Sequence, residues 1–166
     1  MLQFEEALKR IEPDSINEQI FLYGTIGNLY RIAGDSKQAI SMLEKCYKLA
    51  EESGIKKSRM ANLIRLGEAF KYAGQYEDAL KSFDIAIQEL MPIDDCDLLD
   101  FAMQHKGKCL MEVGEWKSAL SQFHKALCIR KRKGSKSLIN STELAIQFVK
   151  EKIDNNEKIV FGKCSD

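Results

Sequence analysis

The residues best placed to do chemistry are few. His105, Cys109 and Glu112 stand at i, i+4 and i+7, a spacing that puts an imidazole, a thiol and a carboxylate on one helix face, where they could hold a transition metal. The weaker point is Cys109, which is expected to pack inward as a small apolar side chain and leave His105 as a polar donor. Asp94, Asp95, Asp97 and Asp100 form an acidic cluster, but it lacks the central glycine and terminal glutamate of a calcium loop. Acids before and inside a first helical turn are expected to cap it. The run from Lys125 to Lys136 (KALCIRKRKGSK) holds six cations and no acid. It reads as a solvated face, with its charges at the negative end of a helix dipole and Gly134 as the stop. It has no interleaved aromatics for base stacking. His124 has no partner of this kind and reads as a surface residue.

The whole-chain balance excludes broad classes. Lys plus Arg and Asp plus Glu each number 25 in 166 residues, so no global field draws the chain to nucleic acid or an anionic membrane. There is no G-x-S-x-G and no glycine loop with G-K-S/T, and only two histidines are present. The expectation is therefore no catalysis, no cofactor and no metal. Five scattered cysteines without a C-x-x-C pair suit reduced thiols. No stretch approaches the roughly 20 apolar residues of a membrane span, and MLQFEEALKR is too acidic for a signal peptide. The expected location is cytoplasmic.

The elements that carry these residues follow from an internal repeat. Gly34, Gly74 and Gly114 lie 40 residues apart, as do Gly27, Gly67 and Gly107, Ala39, Ala79 and Ala119, and the set Leu43, Phe83 and Phe123. Apolar residues recur every three or four positions within each unit, as in Leu63, Leu66, Phe70 and again in Ala79, Leu80, Phe83, Ala86, Ile87. That spacing predicts two amphipathic helices per unit and no strands. The second glycine falls at the turn between them, where a left-handed cap costs glycine nothing. The first lies inside a helix, where it costs about 1 kcal/mol against alanine. A close approach of the paired helix, with Cys46, Ala86 or Ala126 facing the glycine, would offset that cost.

Glycine and an aromatic in the first helix, glycine at the turn, then alanine, aromatic and alanine in the second: this pattern resembles the tetratricopeptide repeat over roughly residues 16–133, in its longer 40-residue form. The resemblance implies an all-α, right-handed superhelical solenoid of antiparallel helix hairpins. A single domain is expected over 1–156, with an N-terminal half-repeat at 1–13, where Phe4, Ala7 and Leu8 copy second-helix spacing. Repeats follow at about 16–54, 56–92 and 95–133, then a capping helix at 136–155. Residues 157–166 read as a tail, either loose or presenting Ile159, Val160 and Phe161 as an apolar surface.

The resemblance also implies that first helices line a concave, peptide-binding groove. Its polar members here would be Asn28, Arg31, Arg65, Glu68, Lys71, His105 and Lys108, and its apolar contacts Phe21, Ile64, Tyr72, Phe101, Met111 and Phe148. Gly24 falls in one of the same groove columns. A modestly basic groove suits a protein or peptide segment bearing carboxylates, which arginine can chelate. The chaperone-tail-binding members place lysines, arginine and two asparagines on these helices. Asn28 matches one such position, whereas Gly24, Arg65, Phe101 and His105 occupy others with different residue types, which argues against that ligand. Two further readings stand beside the adaptor. One is the sensory arm of a larger peptide-responsive bacterial regulator, suggested by a chain that opens on half a repeat. The other is a homo-oligomeric scaffold joined through repeat edges or the tail, which light scattering with and without residues 157–166 would separate from a monomer.

Overall fold

The structure is a computed structural model that describes Glu6 and residues 15–93 and 96–162. The expected half-repeat at 1–13 lies, apart from Glu6, outside the described residues, as do Asp94 and Asp95 of the acidic cluster. Seven helices follow one another among the described residues: α1 (Ile16–Ile32), α2 (Ser36–Glu52), α3 (Lys56–Tyr72), α4 (Tyr76–Leu90), α5 (Cys96–Glu112), α6 (Trp116–Lys133) and α7 (Lys136–Gly162). A short 3-10 turn, Met91–Ile93, follows α4. The chain divides into two compact units, Met1–Gln88 and Glu89–Asp166.

In the first unit α1 packs on α2 and α2 on α3. The turns form as the glycines require: Gly34 and Gly74 take φ of +83° and +76°, and Gly54 closes the α2–α3 turn at +68°. Before α2, the carboxylate of Asp35 accepts the Gln38 amide 3.1 Å away, satisfying one of the unpaired donors of the first turn. The interior glycines do admit a neighbouring helix closely, though not at the expected residues. A β-carbon on Gly27 would lie 2.6 Å from Leu43 Cγ, and one on Gly67 would lie 2.7 Å from Phe83 Cε1. The partner is thus the large residue three positions before Cys46 or Ala86. Its side chain fills the hole that the missing β-carbon leaves, while Cys46 and Ala86 are buried close by.

The second unit repeats the device, with Gly107 against the Phe123 ring at 2.7 Å, and packs α5 on α6 and α6 on α7. Gly114 and Gly134 close its turns at φ of +81° and +72°. Helix α7 runs to Gly162, past the expected end at 155. No proline or glycine interrupts residues 156–161, so nothing in their backbone chemistry breaks the helix there.

A buried polar network binds this second unit. Asp100, fully buried on α5, accepts from Arg130 Nε at 2.8 Å and from Lys133 Nζ at 2.8 Å. Arg130 Nη1 reaches Thr142 Oγ1 on α7 at 2.6 Å and the Leu138 carbonyl at 3.3 Å. The Thr142 hydroxyl also lies 3.2 Å from Gln104 Oε1 and 2.8 Å from the Leu138 carbonyl. Two expectations are corrected here. Asp100 does not cap a helix, and the basic run is not wholly a solvated face, because Arg130 and Lys133 turn inward to a carboxylate that burial would otherwise leave uncompensated. Lys131, by contrast, is exposed and pairs with Glu143 at 3.3 Å.

Candidate functional site

In the first unit, α1 and α3 touch and bring several of the expected side chains together. Asn28 Oδ1 accepts from Arg31 Nε at 3.2 Å and Nη2 at 2.9 Å, one turn apart on α1. These two bonds fix the guanidinium plane and aim Nη1 at Glu68 Oε1 of α3, 3.4 Å away. On α3, Arg65 Nη1 donates to Asn62 Oδ1 at 3.1 Å, and Asn62 donates to the Ser58 carbonyl at 2.9 Å. Lys71 is 8% exposed, with its ammonium 4.0 Å from the centroid of the Tyr72 ring. Two aromatics stand out in solvent: Phe21 at 69% and Tyr72 at 58% exposure. Aromatics held open in this way supply contact area at little entropic cost.

Not every expected groove residue is open. Ile64 is buried and belongs to the packing of α3. Gly24 is buried too, and a β-carbon there would lie 2.9 Å from Asn62 Oδ1 and 3.3 Å from Cys46 Sγ. Its expected place in the groove is therefore corrected: it is the site where α3 presses its asparagine onto α1. Beneath, Cys46 donates to the Ile20 carbonyl at 3.1 Å. Burial pushes its thiol up to about 11 against the opposing charge of Arg65, so it is a poor nucleophile.

The second unit places its members differently. Phe101 is half-buried, with the Arg130 guanidinium 5.5 Å and the Lys133 ammonium 5.4 Å from its ring centroid. His105 and Met111 are half-buried and Lys108 is exposed. Phe148 meets Trp116 edge to face at 6.5 Å and carries Lys152 over its ring at 5.4 Å. Cys109 is buried while Glu112 is exposed, so the residues considered for a metal do not converge. His124 is exposed, as expected.

The sequence reading missed Asn62, Thr142 and the Asp100–Arg130 pair, yet a signal existed. Ile20, Met60 and Asp100 share one repeat column, and Ala50, Leu90 and Arg130 another. In the first repeat Ile20 and Ala50 belong to one buried apolar cluster. The third repeat puts an ion pair in the same two columns. Likewise, the contact of Gly24 with Asn62 returns 80 residues later as Gln104 with Thr142.

These helical hairpins have known counterparts. Residues 18–88 match the tetratricopeptide repeat family. The chain is a tetratricopeptide-repeat protein. Among solved structures, this tetratricopeptide-repeat chain is similar to the apo form of RapI, with TM-score 0.79 and 17% identity over 95% of this chain and 57% of that one. It is similar to aspartyl phosphate phosphatase F from Bacillus subtilis, with TM-score 0.83 and 16% identity over 93% and 41%. It also resembles a Rap protein complexed with Competence and Sporulation Factor, with TM-score 0.80 and 15% identity over 94% and 43%. At such identities the likeness is one of fold. The chain spans about half the length of these structures. No curated protein matches it in sequence. Its coarse functional class is that of a tetratricopeptide-repeat protein-interaction domain. Among the described residues, no helix is long and apolar enough to cross a membrane.

Proposed function

We propose that this protein is a non-catalytic, cytoplasmic module that binds an extended or helical segment of a protein or peptide on the faces of its first helices, and that the segment carries carboxylates. The observation that carries the reading is the α1–α3 face. There, Arg31 is pre-oriented by Asn28, Arg65 by Asn62, and Phe21 and Tyr72 stand open beside them. Fixed guanidinium groups select carboxylates geometrically, and rigid exposed aromatics supply the apolar anchors that dominate such interfaces. In the second unit Lys108, His105 and Met111 would extend the same kind of recognition on α5, with Phe101 beside them and Phe148 on α7.

The test is titration against an array of acidic peptides, repeated with Phe21→Ser, Tyr72→Ser and Arg65→Glu. The first two remove exposed side chains and leave the core intact. Binding that weakens at least about threefold in each variant supports the reading, the scale expected for losing a single anchor. Affinity unchanged in all three removes this face from the account.

The sensory arm of a larger regulator is the second reading. It draws on the likeness to Rap structures about twice this chain's length, one of them complexed with Competence and Sporulation Factor. Binding confined to short unmodified linear peptides, with no folded protein captured from the native cell, would favour it over a general adaptor.

A further inference from the structure

Where α1 ends and α2 begins, Arg31, Ile32, Gly34 and Ser36 join Tyr72 of α3 around an open cleft of about 360 Å³. Its walls are mixed in a particular way. Ile32 is 67% exposed and Tyr72 58%, so one side is apolar and largely open to solvent. On the other side stands Arg31, whose Nε and Nη2 edge is committed to Asn28. Only Nη1 is directed elsewhere, and it meets Glu68 at 3.4 Å, a longer contact than the 2.9 Å bond to Asn28. The Lys71 ammonium lies over the Tyr72 ring. The nearby Asp35 carboxylate is taken up by the Gln38 amide at the start of α2.

We propose that this cleft anchors an acidic residue adjacent to an apolar one in the bound peptide, and that Glu68 tempers its affinity by holding Arg31 until the ligand's carboxylate replaces it. The inference rests on the peptide-binding reading above and adds the residue pair recognised and the internal competitor. The physical basis is exchange of like for like. A ligand carboxylate reaching Nη1 must displace Glu68 from a charge-assisted contact, so its net gain is the difference between two similar interactions. A neutral side chain cannot make the exchange and leaves the pair intact. Glu68 therefore lowers affinity for acidic ligands and leaves that for neutral ones unchanged, so it damps the preference for a carboxylate that Arg31 creates. The neighbouring Ile32 and Tyr72 then supply apolar area for the adjacent side chain.

Two synthetic hexapeptides test this, acetylated and amidated at their ends: Ser-Ser-Glu-Leu-Ser-Ser and the same peptide with Gln for Glu. They are titrated into the 15N-labelled protein, its Glu68→Gln variant and its Arg31→Gln variant. The expected result is that the Glu peptide shifts the Ile32, Gly34 and Ser36 amides. It should bind Glu68→Gln about two- to fivefold more tightly than the parent, the scale of one long, partly exposed ion pair. The Gln peptide should show no such gain, and Arg31→Gln should abolish the preference for Glu. Equal tightening of both peptides by Glu68→Gln, or no tightening of either, overturns the role of Glu68. Shifts confined to the surroundings of Phe21 and Arg65 overturn the cleft while leaving the peptide-binding reading standing. Failure of every acidic peptide in the array to bind sinks that broader reading itself.

Discussion

Gly67→Ala isolates the contact on which the hairpins depend. Alanine is better than glycine inside a helix by about 1 kcal/mol, so at an exposed position the change would stabilise. Here the new β-carbon would lie 2.7, 2.9 and 3.0 Å from three atoms of the Phe83 ring. Phe83 is fully buried, and a ring in a close-packed interior cannot step aside without moving its own helix. Overpacking of this kind costs roughly 1–3 kcal/mol. Set against the propensity gain, the net is a loss of zero to about 2 kcal/mol, centred near 1. Urea unfolding followed by circular dichroism measures it as a lower midpoint at unchanged slope. The same change in a Phe83→Ala background should reverse sign and stabilise by up to about 1 kcal/mol, because the ring it strikes is gone. A Gly67→Ala protein more stable than its parent, with Phe83 in place, would refute the reasoning.

Two other predictions concern stability and reactivity. Asp100→Asn leaves Arg130 buried without its counter-charge and should cost about 3–5 kcal/mol, read as a lowered urea midpoint with early loss of protection in α6 and α7 by hydrogen exchange. Cys46 is held up at about 11 from 9.0 in the folded protein. Its thiol is neutral in both states below pH 9, and above that the unfolded chain ionises first, so stability should fall as pH rises from about 9 to 11. A Cys46→Ala protein should lack that part of the decline, and at pH 8 a maleimide should label the exposed Cys128 and spare Cys46.

What could be read from the sequence divides along the repeat itself. Positions that recur every 40 residues, such as the turn glycines, the interior glycines and the buried alanines, are imposed by geometry that every hairpin shares, so their roles were visible without coordinates. Features set by where helices cross, or by a change of chemistry within one column, were not. Which residue of the second helix meets Gly27 depends on where two antiparallel helices cross, and the reading was off by three positions, close to one helical turn. Asp100 and Arg130 were assigned to caps and dipoles because, taken locally, each stands near a helix end. Their pairing spans 30 residues and shows in sequence only as two charges in columns that are apolar elsewhere. Ile64 looked like a groove residue because first-helix membership does not by itself tell an inward face from an outward one.

The central claim is that the open faces of the first helices do the binding. For any peptide that binds, amide shifts of the 15N-labelled protein test it most directly. The account predicts perturbations concentrated on α1 and α3, around Phe21, Arg31, Arg65 and Tyr72. Perturbations concentrated instead on the second helices, α2 and α4, would contradict it.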